Sequence, residues 1–248
     1  MNPAEFANIA RSEQSFWWYR GMQAILFSLL DPLAKQRSFQ RVLEAGCGTG
    51  FLSKVLAERY QWPMYPVDLG WEGLEHARGM EVPRLVQCDI AALPFQSGAF
   101  DMLVSMDVIV HFPKGDEVRP AAEFARVLKA GGILAIRVSA LDILRSRHSI
   151  FAEERQRFTR ERLSQLLHQH GFRLLRSTYA NSLLLPVALA KFRIWEPLVN
   201  APARSGVEPV SPWLDRLLYA PLVAEAALIR AGCNLPIGQS VLVLAEKR

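Results

Sequence analysis

From residue 41 onwards, short apolar runs alternate with longer segments in which apolar residues recur at helical spacing. The short runs predict buried strands, and the longer segments predict the helices that connect them. We predict seven strands, at residues 41–45, 64–67, 84–87, 100–105, 133–139, 172–179 and 240–245. The main connecting helices are predicted at 51–60, 71–78, 116–129 and 159–171. This alternation is typical of an α/β fold with a largely parallel sheet flanked by helices.

Two segments lie outside the alternation. Residues 1–38 read as helical, with aromatic residues at positions 16 to 19. Residues 180–238 are apolar and interrupted by proline, and they are too long for a bare loop. We therefore divide the chain into a helical N-terminal segment or lid (1–38), a core (39–179), a helical insertion (180–238) and the last strand (239–248). Within the core, Gly131 and Gly132 are expected to end the helix 116–129.

The charge and cysteine content narrows the class of protein. The net charge is +5, and eight arginines lie between Arg145 and Arg176. This basic segment is either a solvated helical face or a surface for an anionic substrate or membrane. Three widely spaced cysteines indicate neither disulfides nor a metal site, and the polar and aromatic N-terminus argues against a secretory signal. No apolar run reaches membrane-spanning length. We therefore expect a cytoplasmic protein.

A glycine-rich turn follows the first predicted strand. Gly46, Gly48 and Gly50 allow a tight turn and a close approach of a ligand to the backbone. Their spacing differs from the G-x-G-x-x-G of dinucleotide-binding proteins, since the third glycine comes one residue early. Glu44 at the strand end would repel a pyrophosphate, but it favours a ligand that carries sulfonium and ammonium groups.

Two further carboxylates stand at the ends of the next two strands. Asp68 is placed to accept hydrogen bonds from both hydroxyls of a ribose, and Asp89 to accept from an adenine amino group. Leu69 and Ile90 would form apolar walls for the ring. Because the carboxyl ends of parallel strands meet at one edge of the sheet, the three acidic residues predict one ligand site there.

The run at 42–50 resembles motif I of the class I S-adenosylmethionine (SAM)-dependent methyltransferases, type 11/12-like. The resemblance continues through 67–69, 88–95, 107–112 and 126–132, and it covers roughly residues 40–180. It implies a Rossmann-like sheet of seven mostly parallel strands in the order 3-2-1-4-5-7-6, with the last strand antiparallel. It also implies SAM as cofactor, S-adenosylhomocysteine as product and no metal. The resemblance implies cofactor roles for Glu44, Gly46, Gly48, Asp68, Asp89 and the start of the segment after strand four. We predict that Cys47, Gly50, Leu69, Ile90 and Met106 also contact the cofactor.

Two histidines are candidates for the base that removes a proton from the methyl acceptor. His111 lies just beyond the fourth strand and is the first candidate, and His148, after the fifth strand, is the second. Each can instead be a hydrogen-bonding or packing residue. Val110 stands where many relatives have Glu, so the family's catalytic details are not carried over to this segment.

The aromatic N-terminal segment has two interpretations. As a lid, it would bring Tyr19 and Arg20 to the cofactor's carboxylate, and Trp17 and Trp18 would wall the acceptor pocket. Alternatively, these side chains only anchor a helix to the sheet.

The nature of the acceptor is the least determined feature. The chain has neither an Asn-Pro-Pro-Tyr-like motif after strand four nor a Pro-Cys nucleophile nor a basic arm, so we expect no nucleic-acid partner. The apolar insertion indicates a small, lipophilic or carrier-linked acceptor that is methylated at oxygen or carbon. Helices such as 214–229 either touch the inner face of a membrane peripherally or complete the core. Alternatives are a methyltransferase that modifies RNA or protein and, in another class, a NAD-dependent oxidoreductase or a non-catalytic nucleotide-binding module. The oligomeric state stays open.

Overall fold

A computed structural model describes residues 1–199, 202–207 and 210–248; the other four positions of the predicted insertion lie outside the described residues. Seven strands form one sheet in the order β3-β2-β1-β4-β5-β7-β6, which confirms the predicted order. All neighbouring strands run parallel except β7, which is antiparallel to β5 and β6. The strands are β1 (Val42–Ala45), β2 (Met64–Asp68), β3 (Val86–Gln87), β4 (Phe100–Met106), β5 (Leu128–Ser139), β6 (Phe172–Ala180) and β7 (Ser240–Lys247).

Helices cover both faces of the sheet and also precede it. The N-terminal segment and the core contain α1 (Pro3–Ser12), α2 (Trp17–Gln36), α3 (Phe51–Tyr60), α4 (Trp71–Gly79), α5 (Val118–Val127), α6 (Arg147–Phe151) and α7 (Arg160–Gln169). Between β6 and β7 lie α8 (Leu185–Ala190), a π-helical turn (Lys191–Trp195), α9 (Glu196–Val199) and α10 (Pro212–Arg230). A capping residue marks the start of α7. Thr159 caps α7 as predicted, accepting the backbone N–H of Arg162 at 3.2 Å.

The core has two halves, one on each face of the sheet. Along β5, Leu134 and Ile136 face the half that holds α5 and α7, whereas Ile133 and Ala135 face the half that holds α2 and α10. This division follows from the alternation of side chains along a strand. Both faces are apolar because both are covered, which explains the continuous apolar runs of the central strands.

Two predictions near strand ends were wrong. Gly131 and Gly132 do not end α5, because α5 passes directly into β5 at Leu128. They lie in an irregularity of β5, where the pairing with β4 shifts, and Gly131 has a φ of +74°. Glycine suits a β-bulge as well as a helix end, so the sequence alone did not separate the two. The third strand begins only at Val86, since Arg84 has a φ of +58° and cannot continue an extended strand.

Candidate active site

A cavity of about 970 Å³ lies at the carboxyl edge of the sheet. It is lined by the loops after β1, β2 and β4, by α1 and α2, and by residues within 191–199, 204–207 and 210–218. All predicted site residues except Gly50 and Arg20 line this cavity. They are Trp17, Trp18, Tyr19, Glu44, Gly46, Cys47, Gly48, Asp68, Leu69, Asp89, Ile90, Met106, His111 and His148.

The glycine-rich turn depends on two of its glycines for different reasons. Gly46 has a φ of +84°, and a Cβ there would come within 2.3 Å of the Val108 side chain. Gly50 has a φ of +77° at the start of α3, and a Cβ there would meet Ala77 at 2.6 Å. Gly50 therefore packs against α4 and shapes the turn, although it does not line the cavity.

Asp68 ties together the turns that follow β1 and β2. Its Oδ2 atom accepts the N–H of Gly48 at 2.7 Å, and its Oδ1 atom accepts the N–H of Gly70 at 2.8 Å. A carboxylate oxygen accepts more than one hydrogen bond, so both oxygens retain capacity for a ligand. Asp89 is held similarly, because its Oδ1 atom accepts the N–H of Ala91 at 2.8 Å. The backbone therefore orients both carboxylates before any ligand binds.

Glu44 is buried, with 3% of its surface exposed. Its pKa is raised to about 8, mainly by burial; a hydrogen bond from the Ser53 hydroxyl opposes the shift, and the negative charges of Asp68 and Glu13 add to it. The carboxyl groups of the site therefore repel one another when all of them are ionised. A cationic ligand would relieve this repulsion, and an anionic ligand would increase it.

The N-terminal helix α1 sits directly on the glycine-rich turn. The ring of Phe6 packs so closely over the next loop that a Cβ at Gly70 would lie 2.6 Å from it. Glu13 accepts a hydrogen bond from the Thr49 hydroxyl, and burial raises the pKa of Glu13. Sequence reasoning missed Phe6 and Glu13, because nothing local distinguishes them from other residues of an amphipathic helix.

Arg20 and Tyr19 point to different parts of the protein. Arg20 pairs with Asp215 of α10 and lies 4.4 Å from the centre of the Tyr219 ring. The structure thus does not bring Arg20 to the cavity, where it was expected to meet the cofactor's carboxylate. Tyr19 does line the cavity, and burial, followed by the charges of Glu5 and Glu13, raises its pKa.

An ion pair at the ends of β4 and β5 also faces the cavity. Arg137 donates to Asp107 Oδ2 from Nε at 2.9 Å and from Nη2 at 2.6 Å, and its guanidinium lies 5.1 Å from the centre of the Trp18 ring. The buried Asp107 Oδ1 atom has no hydrogen-bond partner among the described residues. Sequence reasoning did not select either residue. The available signal was Arg137 itself, a charged residue within the otherwise apolar strand predicted at 133–139.

The two candidate histidines differ in their hydrogen bonds, and therefore in their proton positions. His111 Nδ1 lies 3.2 Å from the carbonyl oxygen of Glu153, which can only accept, so Nδ1 carries the proton and Nε2 has a free lone pair. His148 Nδ1 accepts the N–H of Gly206 at 3.0 Å, so its proton resides on Nε2. Burial lowers the pKa of both histidines, which keeps them neutral near pH 7. His111 is arranged to accept a proton at Nε2, and His148 is arranged to donate a hydrogen bond there.

Comparison with known proteins identifies the fold that carries this cavity. Residues 43–136 match the family model of the methyltransferase domain Methyltransf_11. The match covers less than half of the chain and shows that this part is similar to a methyltransferase domain. A SAM-dependent methyltransferase from Archaeoglobus fulgidus has a similar fold, with a TM-score of 0.60 at 18% identity, over 95% of this chain and 97% of that chain.

Curated relatives of the methyltransferase domain share only part of their length with this chain. A probable S-adenosylmethionine-dependent methyltransferase of Mycobacterium tuberculosis is 32% identical over 122 residues, 48% of this chain and 42% of that protein. The 2-methyl-6-phytyl-1,4-hydroquinone methyltransferase of Synechocystis is 32% identical over 99 residues, 38% of this chain and 30% of that protein. The chain thus matches less than half the length of these relatives. Other relatives are a malonyl-[acyl-carrier protein] O-methyltransferase and a probable tRNA methyltransferase.

Proposed function

We propose that the protein transfers a methyl group from SAM to the oxygen or carbon of a small, lipophilic or carrier-linked acceptor. The observation that carries this proposal is the convergence of Glu44, Asp68 and Asp89 on one cavity, beside a turn whose glycines bring the backbone close to a ligand. The methyltransferase family of the surrounding domain supports the same cofactor.

The electrostatics of the turn favour SAM over a dinucleotide. In dinucleotide sites, the backbone N–H groups of the turn bind a pyrophosphate. Here the N–H of Gly48 already donates to Asp68, and a pyrophosphate would meet the carboxylates of Asp68 and Glu44. The sulfonium and ammonium groups of SAM would instead be attracted to these carboxylates.

The geometry of the loops supports the residue roles that we propose. Asp68 would accept the ribose hydroxyls with the lone pairs that Gly48 and Gly70 leave free, and Asp89 would accept from the adenine amino group. Leu69 exposes 66% of its surface beside the cavity, and an adenine ring would cover this apolar area.

The other side of the cavity supports a lipophilic acceptor. Its lining from the N-terminal helices and the segment between β6 and β7 includes the apolar and aromatic side chains of Trp17, Trp18, Phe192, Trp195, Leu214 and Leu218, beside charged residues such as Lys191, Glu196 and Arg204. Small-molecule sites commonly occupy roughly 300–1,000 Å³, and this cavity lies at the upper end of that range. A relative named for a phytyl hydroquinone is consistent with this chemistry.

When bound, SAM supplies an electrophilic methyl group, which leaves S-adenosylhomocysteine as a neutral thioether. The protein would align the acceptor with that methyl group and exclude water, which contributes much of the rate of such a transfer. The free lone pair of His111 Nε2 would take the acceptor's proton, while the N–H at His148 Nε2 would hold an oxygen of the acceptor.

Three measurements test the proposal. Calorimetry with SAM, S-adenosylhomocysteine and NAD should show binding of the first two only, and mass spectrometry should find no NAD retained by the purified protein. Tritiated methyl transfer from SAM should label extracted lipids, metabolites or a carrier-linked acyl group, and leave RNA and other proteins unlabelled. Retained NAD or absent SAM binding would refute the cofactor, whereas labelled RNA, or labelled protein other than an acyl carrier, would refute the acceptor class.

A further inference from the structure

The long helix α10 has two apolar faces, and only one of them is buried. Leu222, Ala226 and Ile229 pack into the core against the sheet and α2. On the outer face, the exposed positions between residues 213 and 228 carry a single charge, Arg216. The large apolar side chains of this face are Trp213 (67% exposed), Leu217 (59%), Val223 (42%) and Leu228 (43%).

The preceding helical segment, residues 185–199, has the same character. Its outward apolar side chains include Val187, Ile194, Trp195 and Leu198, with Leu198 76% exposed. Lys191 and Arg193 are the charged residues at its exposed positions. We call the exposed apolar side chains of residues 185–199 and of α10 the outer apolar face.

The exposed charged residues beside the outer apolar face are basic. Among the described residues of these helices, each acidic side chain is directed to a partner elsewhere in the protein. Glu196 accepts the N–H of Arg147 at 3.0 Å, Asp215 pairs with Arg20, and the buried Glu225 accepts the N–H of Leu183 at 2.7 Å. The charges that stay at exposed positions beside the apolar side chains are the cations Lys191, Arg193 and Arg216.

Both helical segments that carry the outer apolar face also contribute residues to the lining of the cavity. Trp195 and Val199 belong to the first helical segment and also line the cavity, as do Leu214 and Leu218 of α10. Trp195 is 64% exposed, so it reaches from the cavity to the outer surface. A partner bound to this face would therefore lie beside the acceptor side of the cavity.

We infer that the outer apolar face docks on the surface of a membrane that contains anionic lipids. Helices that lie in a membrane interface combine an apolar face with basic residues, and tryptophan is enriched at that depth. Large exposed apolar side chains grouped on one helix face mark interaction sites, and each basic residue near an anionic leaflet strengthens binding about fivefold. Among the described residues, no helix is both long and apolar enough to cross a membrane, so the contact is peripheral.

This docking would deliver a lipophilic acceptor to the cavity from the bilayer, and that consequence rests on the proposed function. The lipid contact itself does not, because it depends on surface residues that hold no cofactor. Binding to vesicles can therefore be measured without SAM and without any methyl transfer.

The test is flotation of the full-length protein with vesicles of phosphatidylcholine, with and without phosphatidylglycerol. Val223→Asp should weaken binding to the anionic vesicles at least about tenfold, because it places a carboxylate in the apolar contact. Val118→Asp is the matched control, since Val118 is also 42% exposed but lies on α5, on the opposite face of the sheet. Arg216→Glu changes the charge by two units, and each unit should weaken binding about fivefold, which gives a total of about 25-fold. Arg119→Glu, on α5, should leave binding unchanged.

Several results would overturn the inference. One is absence of binding to anionic vesicles, and another is equal loss in the α5 variants. A third is a dimer in light scattering that Val223→Asp dissociates, since a second copy would then cover the face. Circular dichroism verifies folding of each variant, and Arg216→Glu serves if Val223→Asp does not fold. Calorimetry of Val223→Asp with SAM should give the wild-type affinity, which separates this inference from the proposed function.

Discussion

Replacing Asp68 by alanine removes a side chain that joins the turns after β1 and β2. The carboxylate accepts the N–H of Gly48 at 2.7 Å and the N–H of Gly70 at 2.8 Å, and it lines the cavity where a ribose would lie. The substitution therefore acts twice. It leaves two backbone donors without their acceptor, and it removes the acceptor for the ribose hydroxyls.

The two effects have separate magnitudes. Loss of the ribose contact should weaken SAM binding by about 1–3 kcal/mol, which is a factor of about 5 to 150 in Kd. Loss of two hydrogen bonds to a charged acceptor should lower the free energy of unfolding by about 3 kcal/mol. Calorimetric titration with SAM measures the first quantity, and urea unfolding without ligand measures the second.

Asp101→Ala is the matched control. Asp101 also accepts two backbone N–H groups, from Gln40 and Arg41, both at 2.9 Å, and it pairs with Lys129. It lies at the amino end of β4, at the opposite edge of the sheet from the cavity. Asp101→Ala should destabilise the fold to a similar extent and leave the Kd for SAM unchanged. A wild-type Kd for Asp68→Ala, or an equal increase for both variants, would refute the ribose assignment.

Three further predictions concern other parts of the site. His111→Ala should lower turnover by about 10²- to 10⁴-fold without changing SAM affinity. Wild-type turnover should stay level above neutral pH, because burial lowers the pKa of His111. If His111→Ala is as active as the wild type, His111 is not the base. Glu44 holds a proton in the folded state between pH of about 5 and 8, where the unfolded chain has lost it, so the free energy of unfolding falls as pH rises through this window. Glu44→Gln should flatten that fall in urea unfolding, and an unchanged slope would contradict the raised pKa. Arg20→Ala should lower the free energy of unfolding by about 1 kcal/mol, because it removes the ion pair with Asp215 and the contact with the Tyr219 ring. It should leave the Kd for SAM unchanged. A higher Kd would place Arg20 in the cofactor site after all.

The cofactor side of the site was predictable because its signals are local. Glu44 lies within β1, Asp68 ends β2, and Asp89 follows shortly after β3, so each position depends only on where a strand ends. In a parallel sheet all such ends meet at one edge, and the family resemblance supplied the order of the strands.

The acceptor side was less predictable, since helix orientation depends on packing between distant segments. The backbone N–H of Trp17 donates to Asp215, a residue 198 positions away, and this contact helps to set which side of α2 meets α10. Arg20 consequently faces Asp215, whereas Tyr19, one position earlier, faces the cavity. No pattern within residues 1–38 contains that information.

By itself, the sequence determined the positions of the strands, the glycine-rich turn and the carboxylates at the strand ends, because hydrophobic periodicity and turn chemistry act over a few residues. Only the tertiary structure decided that Phe6 and Glu13 close over the turn, that Arg137 holds Asp107, and that α10 keeps one apolar face exposed. These features arise where elements far apart in the chain pack together. Their geometry follows from the shape of the whole core rather than from any one segment.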